Sequence, residues 1–337
     1  MTVRQILRRG GALVTGVAVV TPLLSVPANA GSVPAPTASW VLHATPKAAW
    51  NAVTFGGGKY VAIGAGSNNH NVMTSEDGKQ WTRHSAPKAF GTRYTWGAGV
   101  AYGNGRFVAV SGDLEGKRPV MVSRDGRTWT SHKTPMPVLT AVTFGNGLFV
   151  ATTGQNKHRL VTSRDGMHWK AHKIPNGWHF GSTFGNGTFI ATTNGKGPFL
   201  RSTDAVHWHK VRSPGKGYWR AVTYGDGTFV AVALGDETMI GRSTDGGRTW
   251  HKVTSKVAKG KYWTSIAYAQ GRFIAVSNGA VMSSADGGKT WHREALPAGA
   301  GQGWNAITAG SSRYVAVSTD YGTEQAMTRA WGKPARR

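Results

Sequence analysis

The sequence contains no cysteine and few acidic residues. Its 337 residues include 40 lysines and arginines but only 15 aspartates and glutamates, so the formal net charge at pH 7 is +25. Without cysteine, no disulfide bridge and no thiolate-ligated metal can hold the fold, which must depend on packing and hydrogen bonds. After residue 30, no apolar run is long enough to span a bilayer as a helix. A disulfide-stapled scaffold is therefore excluded, and a helical membrane span is not expected.

Residues 1–30 have the features of a secretory signal peptide. A basic start with three arginines precedes a short apolar stretch at 12–26, and the small residues at 28–30 match a cleavage site. The apolar stretch is too short and too interrupted for a membrane anchor. The predicted organisation is a signal peptide at 1–30, a linker at 31–39, a repeat domain at 40–331 and a basic tail at 332–337. We therefore expect a secreted, extracellular protein, exported by either the general or the twin-arginine route.

The excess of positive charge bears on possible partners. Removal of the signal peptide takes away three arginines and no acid, which lowers the formal charge from +25 to +22. Such a surface attracts polyanions, including wall polymers, acidic polysaccharides and nucleic acids, in a salt-dependent way. The same charge also keeps a secreted protein soluble. Composition alone does not decide between these two interpretations.

One short motif occurs six times. The copies are SEDGKQW, SRDGRTW, SRDGMHW, STDAVHW, STDGGRTW and SADGGKTW. Their aspartates are Asp77, Asp125, Asp165, Asp204, Asp245 and Asp286, and their tryptophans are Trp81, Trp129, Trp169, Trp208, Trp250 and Trp291. Successive aspartates are 39 to 48 residues apart. A period near forty indicates one structural unit that is repeated along the chain.

Each unit also contains a β-hairpin pattern. An apolar run ends in an aromatic residue and a glycine turn, as in AVTFGNGL, and a second strand such as FVATT follows at once. Asn-Gly between β-branched runs is a strong hairpin signal, because both turn residues need positive φ. Every second strand has an alanine at its centre, which predicts a crowded place where neighbouring sheets approach. These alanines are Ala62, Ala109, Ala151, Ala191, Ala231, Ala275 and Ala316.

The repeated unit and the chain ends together predict a closed ring. A third strand leads into each motif and a fourth leaves it, and four short strands per unit are typical of propeller blades. The seventh unit, from Trp304, has no motif and no fourth strand, whereas residues 40–46 have the form of an isolated fourth strand. The N-terminal strand is therefore predicted to complete the last blade. The predicted fold is all-β, a single seven-bladed β-propeller with four antiparallel strands per blade.

The six motifs resemble the Asp-box, or bacterial neuraminidase repeat, of sialidases, sortilin-like receptors and several polysaccharide-active enzymes. The resemblance covers essentially the whole mature chain. It implies that the boxes are structural and lie opposite the binding face, but it implies no activity. Ala205 replaces the glycine of the fourth box, which predicts a looser turn. In architecture the chain is also similar to the dispase autolysis-inducing proteins of streptomycetes, which implies action by binding to a protease. The arginine motif that introduces the sialidase site is missing, so a sialidase is not expected.

Strand alternation divides the loops between two faces. The turns between first and second strands lie with the boxes on one face, which we call the box face. The loops between second and third strands lie with the connections between blades on the other, which we call the variable face. Varied loops on a rigid frame commonly carry binding groups, and aromatic residues among basic ones suit a sugar or a polyanion. The predicted contacts are Tyr94, Trp96, Lys157, Arg159, Trp178, His179, Tyr218, Lys261 and Tyr262. Trp50, Trp219, Trp263 and Trp304 begin first strands and are expected to pack between blades.

Two catalytic interpretations stay open on the variable face. The acidic pairs are Asp113 with Glu115, Asp236 with Glu237 and Asp320 with Glu324. Two such carboxylates would suit a glycoside hydrolase if they lay about 5 to 10 Å apart. A polysaccharide lyase would instead need a histidine or tyrosine base near an arginine that neutralises a uronate. The candidates are His70, His158, His179, Tyr94, Arg93 and Arg220. No metal-ligand spacing is present, so neither a metal nor another cofactor is expected.

Together these features favour a binding protein. We expect a secreted, monomeric, cationic module that engages an extracellular protein or an anionic polymer, such as an acidic glycan or a wall polymer, through its variable face without catalysis. No membrane insertion is expected. The alternative is an extracellular polysaccharide lyase or glycoside hydrolase acting on an acidic glycan. The basic residues of the fourth strands are expected to protect the outer sheet edges from aggregation.

Overall fold

The computed structural model describes a ring of β-sheets. It describes residues 17–18, 39–65, 72–88, 90, 98–112, 119–154, 158–195, 197–235, 240–320 and 325–331. These residues form seven blades, each of four antiparallel strands, with one short 3-10 helix at Lys256–Ala258. No helix in these ranges is long and apolar enough to cross a membrane. The predicted all-β, seven-bladed propeller is confirmed.

The strands are numbered along the chain. Outside the blades, β1 (Val17–Ala18) pairs in parallel with Gly99 and Val100. Blade 1 contains β3 (Ala49–Gly56), β4 (Lys59–Ala65), β5 (Val72–Ser75) and β6 (Thr82–His84). Blade 2 contains β7 (Ala98–Gly103), β8 (Arg106–Ser111), β9 (Val120–Ser123) and β10 (Thr130–His132). Blade 3 contains β11 (Leu139–Gly145), β12 (Leu148–Thr153), β13 (Arg159–Ser163) and β14 (Lys170–Lys173).

The remaining blades follow the same order. Blade 4 contains β15 (His179–Gly185), β16 (Thr188–Gly195), β17 (Phe199–Ser202) and β18 (His209–Val211). Blade 5 contains β19 (Gly217–Gly225), β20 (Thr228–Leu234), β21 (Ile240–Ser243) and β22 (His251–Val253). Blade 6 contains β23 (Trp263–Ala269), β24 (Arg272–Ser277), β25 (Ala280–Ser284) and β26 (His292–Glu294). Blade 7 contains β27 (Trp304–Ala309), β28 (Arg313–Ser318), β29 (Gln325–Ala330) and the N-terminal strand β2 (Val41–Ala44).

The tight turns join first and second strands as the sequence predicts. Asn104 and Gly105, for example, have φ of 47° and 69°. Asn146-Gly147, Asn186-Gly187 and Asp226-Gly227 repeat this pair of positive angles. Two successive residues with positive φ give the turn whose twist matches the flanking strands. The first strands of consecutive blades contact one another all the way round, so they form the inner wall of the ring.

The core lies between the blades. Seven clusters of buried side chains each combine residues of two neighbouring blades. The seven central alanines are fully buried in these clusters, which confirms their predicted crowding. The first-strand tryptophans are also confirmed as packing residues, because Trp50, Trp219, Trp263 and Trp304 are all at most 1% exposed. Each blade is therefore stabilised by both neighbours.

The N-terminal strand closes the last blade. Strand β2 pairs antiparallel with β29, with Val41 opposite Thr328 and Ala44 opposite Gln325. At the junction of blades 7 and 1, the Asn305 side-chain amide donates to the Asn51 carbonyl at 2.8 Å. The predicted closure is therefore confirmed, and the last blade has the same four strands as the others.

A buried ion pair supports this closure. Glu294 ends the outer strand of blade 6, and its Oε2 accepts a hydrogen bond from Trp40 Nε1 at 2.7 Å. The same oxygen lies 3.3 Å from Nε of Arg329 on blade 7, whose side chain is only 5% exposed. Burial lowers the pKa of Arg329. The carboxylate thus joins the N-terminal segment to blades 6 and 7.

The boxes are hydrogen-bonded turns. In the second box, Asp125 Oδ1 accepts the backbone N–H groups of Arg127 and Thr128, both at 2.8 Å. Ser123 Oγ donates to the same oxygen at 2.9 Å and accepts from Gly126 N at 2.8 Å. The indole of Trp129 then donates to the Gly126 carbonyl at 3.0 Å. The boxes therefore use their aspartates for local hydrogen bonds.

The fourth box does not have the looser turn that its alanine predicts. Ala205 adopts φ of 64°, the left-handed conformation that glycine occupies in the other boxes. Its N–H reaches Ser202 Oγ at 2.9 Å and its carbonyl accepts from Trp208 Nε1 at 3.0 Å. The expectation was wrong because the turn is held by side-chain hydrogen bonds and by burial of the alanine methyl group. The backbone bears the strain instead.

Part of the positive charge is used between blades on the box face. Arg201 Nε donates to the Gly246 carbonyl in the next box at 2.8 Å, and Arg242 Nε donates to the Gly287 carbonyl at 2.7 Å. Lys59 and Arg106, at the start of second strands, donate to the Asp125 and Asp165 carbonyls of the next box at 3.2 and 3.0 Å. These cations fasten one blade to the next, so they do not indicate a polyanion partner.

Replacement of Glu294 tests the closure. In Glu294→Gln the charge partner of buried Arg329 is lost, which should lower the free energy of unfolding by about 3 to 5 kcal/mol. Urea denaturation followed by tryptophan fluorescence measures the change. Glu76→Gln is the matched control, because Glu76 is 80% exposed and lies 4.0 Å from Arg127. If the free energy of unfolding falls no more in Glu294→Gln than in Glu76→Gln, the role of the ion pair is contradicted.

The boxes predict a loss of stability in acid. Burial acts to raise the pKa of Asp125, but the N–H groups of Thr128 and Arg127 and the Ser123 hydroxyl lower it to about 2. A depressed pKa stabilises the fold above the unfolded value of about 3.9, and this contribution disappears as the pH falls towards 2. Asp125→Asn should therefore weaken the pH dependence of the urea midpoint between pH 4 and 2. An unchanged dependence would contradict this account.

Candidate functional site

Three aromatic side chains occupy equivalent positions on the variable face. Trp178, Tyr218 and Tyr262 immediately precede the equivalent buried residues His179, Trp219 and Trp263 in the first strands of blades 4, 5 and 6. Tyr218 is 56% exposed and Tyr262 is 53% exposed, while Trp178 is half-buried. Because neighbouring first strands are in contact, the three residues follow one another along an arc of the ring. The structure brings these predicted contacts onto neighbouring blades.

The backbone of Tyr218 is held on both sides. It pairs with Leu234 of β20 within its own blade and with Asn194 of β16 in blade 4. The second pairing joins blades 4 and 5 into one continuous sheet, a feature that the sequence did not indicate. An exposed ring on so restrained a backbone loses little conformational entropy when it binds.

Indole hydrogen bonds close the loops that carry the tyrosines. Trp219 Nε1 donates to the Gly215 carbonyl at 3.1 Å, and Trp263 Nε1 donates to the Ala258 carbonyl at 3.0 Å. Lys216 lies inside the first loop and Lys259 and Lys261 lie inside the second. Within the described residues, these lysines have no ion-pair partner. We call the two loops, residues 215–219 and 258–263, the tyrosine loops.

A β-bulge containing a polar residue stabilises first strands at the end that lies on the variable face. The pairing of first and second strands shifts register by one residue after Trp50, Leu139, Trp219, Trp263 and Trp304, and over two residues after His179. The bulged residues Thr140 and Thr264 donate to the carbonyls of His179 and Trp304 in the next blade, at 2.8 and 3.0 Å. Sequence reasoning missed these residues. Their signal was a polar residue recurring within an otherwise apolar strand.

His179 is a structural residue rather than a ligand contact. Only 1% of it is exposed, and it occupies the position that tryptophan fills in four other blades and Leu139 in blade 3. Its Nδ1 lies 3.3 Å from the Thr192 carbonyl. Burial lowers the pKa of His179 to about 4, although backbone contacts with Thr192 and Pro175 act in the opposite direction. The predictions of a ligand contact and of a lyase base at His179 were wrong, because the side chain is enclosed in the core.

Arg220 is also enclosed. It is 6% exposed, and its guanidinium lies 5.5 Å from the centroid of the Phe180 ring. Burial lowers the pKa of Arg220 to about 10. Its predicted role as an accessible partner for a uronate was therefore wrong, because the side chain is packed between blades 4 and 5.

The other predicted residues divide into three groups. His158 and Arg159 are exposed at the start of β13. Asp320 is used locally, because its Oδ2 accepts the Gly303 N–H at 2.6 Å. Several predicted residues lie outside the described ranges: His70, Arg93, Tyr94, Trp96, Asp113, Glu115, Lys157, Asp236, Glu237 and Glu324. The hydrolase pairs therefore have one described member, and it is engaged with the backbone.

Two further features bear on chemistry. A cavity of about 440 Å³ is lined by Gly279, Arg293, Glu294, Ala295 and Leu296. The described lyase and hydrolase candidates lie elsewhere. In the part of the chain that the structure describes, no three histidine, aspartate or glutamate side chains gather as metal ligands would.

Comparison with known proteins supports the architecture. A family model described as "DUF6242 beta propeller domain" matches residues 203–332. No curated protein matches the chain. YCF48 bound to D1 peptide is similar over 93% of this chain and 99% of its own, at 15% identity and a TM-score of 0.67. A catalytically inactive virginiamycin B lyase from Staphylococcus aureus, solved with quinupristin, is similar over 87% of this chain and 100% of its own, at 14% identity and a TM-score of 0.69.

An enzyme of the GH74 type from Niastella koreensis is a third structural neighbour. It is 15% identical over 88% of this chain, which spans 44% of that enzyme, with a TM-score of 0.57. Identities this low establish the fold alone. The chain is a β-propeller protein, and this architecture serves both binding proteins and enzymes.

The burial of His179 predicts a pH-dependent stability. Its pKa in the folded protein, about 4, lies below the unfolded value of about 6.5, so its contribution is present above pH 6.5 and lost as the pH falls towards 4. His179→Leu places in blade 4 the residue type that blade 3 has at this position. As the pH falls from 6.5 to 4, the free energy of unfolding of this variant should rise relative to that of the parent by up to about 3 kcal/mol. Urea midpoints from pH 8 to pH 4 measure it.

The parent protein is the control for the remaining histidines. His43, His84 and His172 also have pKa values lowered by burial, and they are present in both proteins. At pH 8, the difference in free energy of unfolding between His179→Leu and the parent reports only the packing change at residue 179. A difference that stays constant from pH 8 to pH 4 would contradict the assignment.

Proposed function

We propose that this protein is an exported, monomeric, cationic propeller of the Asp-box type that binds an extracellular protein or an anionic polymer through its variable face, without catalysis. The observation that carries the proposal is the pair of exposed tyrosines, Tyr218 and Tyr262, each beside lysines on the variable face. Exposed aromatic residues next to unpaired cations are typical of binding surfaces. On the box face, by contrast, the serines, the aspartates and several arginines are engaged in turns and blade contacts.

The Asp-box assignment is supported by the turns themselves. All six aspartates accept the hydroxyl of the serine two residues earlier, at 2.7 to 3.1 Å. In each box the tryptophan indole donates to the carbonyl three residues before it. Turns that repeat these two hydrogen bonds in all six boxes have a structural role, which leaves binding to the loops that vary.

A polypeptide or a polyanion is the favoured partner class. One structural neighbour, YCF48, is bound to the D1 peptide, and the proposal extends that kind of ligand to this chain. The lysines of the tyrosine loops favour an acidic partner by charge. A protease partner of the kind implied by the resemblance to dispase autolysis-inducing proteins belongs to the same class of protein ligands.

Catalysis is not favoured by the described residues. A lyase needs an accessible base beside an accessible arginine. Of the described candidates, His179 and Arg220 are both enclosed, and His158 is exposed next to Arg159 at the start of β13. The S. aureus neighbour is a virginiamycin B lyase, so turnover belongs in the experimental test. Incubation with pectate and alginate should release neither unsaturated uronates, detected by ultraviolet absorbance, nor new reducing ends. Either product would support the enzyme alternative over the proposed function.

Charge reversal on the variable face tests the binding surface. Lys216→Glu with Lys261→Glu should weaken binding to an acidic partner at least tenfold, because both lysines lie beside the exposed rings. Binding to heparin, pectate, polyphosphate and proteins of the spent culture medium is measured at low and high salt.

The control makes the same charge change elsewhere. Lys170→Glu with Lys210→Glu alters two exposed lysines of the outer strands β14 and β18. If both double variants lose binding equally, the interaction reflects net charge and the proposed use of the variable face is wrong. The same conclusion follows if no probe binds the parent protein at low salt.

A further inference from the structure

The two tyrosine loops share an indole hydrogen bond, an exposed tyrosine and nearby lysine, which points to one repeating ligand. Among the described residues, Tyr218 and Tyr262 are the only exposed aromatic side chains. A folded protein rarely leaves large aromatic rings in water at adjacent equivalent positions without a partner. Two such rings on consecutive blades suit a polymer whose units recur along its length.

Blade 1 provides an internal comparison. Its Trp50 Nε1 donates to the Pro46 carbonyl at 3.0 Å, so it closes the same kind of loop around Lys47. The residue before Trp50 is Ala49, which is 6% exposed. The closed loop and the lysine therefore do not require an aromatic ring. Tyr218 and Tyr262 are therefore not needed to close the loops of blades 5 and 6.

Each tyrosine loop combines a ring with a small number of cations. Lys216 lies two residues before Tyr218, and Lys259 and Lys261 precede Tyr262. A ring face stacks on the C–H face of a sugar, and a nearby ammonium pairs with a carboxylate. One ring with one or two lysines matches a polymer in which charged and neutral sugars alternate.

Other acidic polymers fit less well. A nucleic acid has a charge on every unit and is held by many cations in a continuous groove. In the two loops only three lysines are present, and the nearest arginine in sequence, Arg220, is enclosed between blades. An acidic peptide would use the lysines but would not need two exposed rings.

We propose that the tyrosine loops bind an acidic polysaccharide containing uronate, with Tyr218 and Tyr262 stacked on sugar faces and Lys216, Lys259 and Lys261 paired with carboxylates. This ligand assignment rests on the proposed binding function and narrows its partner class. The restrained backbone of Tyr218, paired with both Asn194 and Leu234, makes blade 5 the firmer of the two contacts.

Removal of the rings tests the assignment. With hyaluronan as the probe, in which uronate alternates with a neutral amino sugar, Tyr218→Ala with Tyr262→Ala should weaken binding about 100-fold, or roughly tenfold per ring. Tyr218→Phe with Tyr262→Phe keeps the stacking faces and should stay within about threefold of the parent. Both rings are exposed, so thermal unfolding of each variant should match that of the parent.

Matched ligands separate the possible partners. Carboxyl-reduced hyaluronan, polyglutamate and single-stranded DNA are compared with hyaluronan at equal salt. Weaker binding of the reduced polymer and of the two other polyanions supports the assignment. Equal or tighter binding of polyglutamate or DNA overturns it, and so does an alanine variant that binds hyaluronan like the parent.

The same variants distinguish this assignment from the proposed function. If hyaluronan and pectate do not bind, but a protein or polyglutamate binds and is lost with the alanine variant, the glycan assignment is wrong and the binding function stands. If no ligand depends on the tyrosines or on Lys216 and Lys261, both are wrong.

Discussion

The structure depends on close packing between neighbouring blades. The alanine at the centre of every second strand is fully buried where two sheets meet, and a larger side chain there would push the sheets apart. Because each cluster combines residues of two blades, each blade shares its core with its neighbours. Closure gives the first and last blades two neighbours each, and it places β2 in the last blade, where Trp40, Glu294 and Arg329 are joined.

Charge is distributed by structural role. The six box aspartates are satisfied by turn N–H and hydroxyl groups, and arginines such as Arg201 and Arg242 donate to carbonyls of the following blade. The excess of positive charge is therefore partly a consequence of how the blades are fastened. What bears on function is the smaller set of lysines without described acidic partners beside Tyr218 and Tyr262. Net charge alone could not distinguish these two groups of cations.

The candidate site was only partly predictable. Trp178, Tyr218 and Tyr262 were identified because they lie one position outside the register of the packing tryptophans. His179 was misassigned because it fills that packing position itself, and a histidine there suggests a functional role until its burial is known. Arg220 was misassigned for a related reason, since its position in a bulge places the side chain between blades. The contacts predicted at Tyr94, Trp96 and Lys157 lie outside the described residues and stay predictions.

The sequence by itself determined the number of blades, the hairpin turns, the box positions and the strand that closes the ring, because each is encoded by local spacing that recurs along the chain. The tertiary structure decided which side chains are accessible. Exposure depends on how neighbouring blades meet. The tertiary structure therefore decided the burial of His179 and Arg220, the sheet shared by blades 4 and 5, and the exposed ring of Tyr218 on its paired backbone. A repeat pattern records what the blades share, whereas a binding site consists of the few positions where they differ.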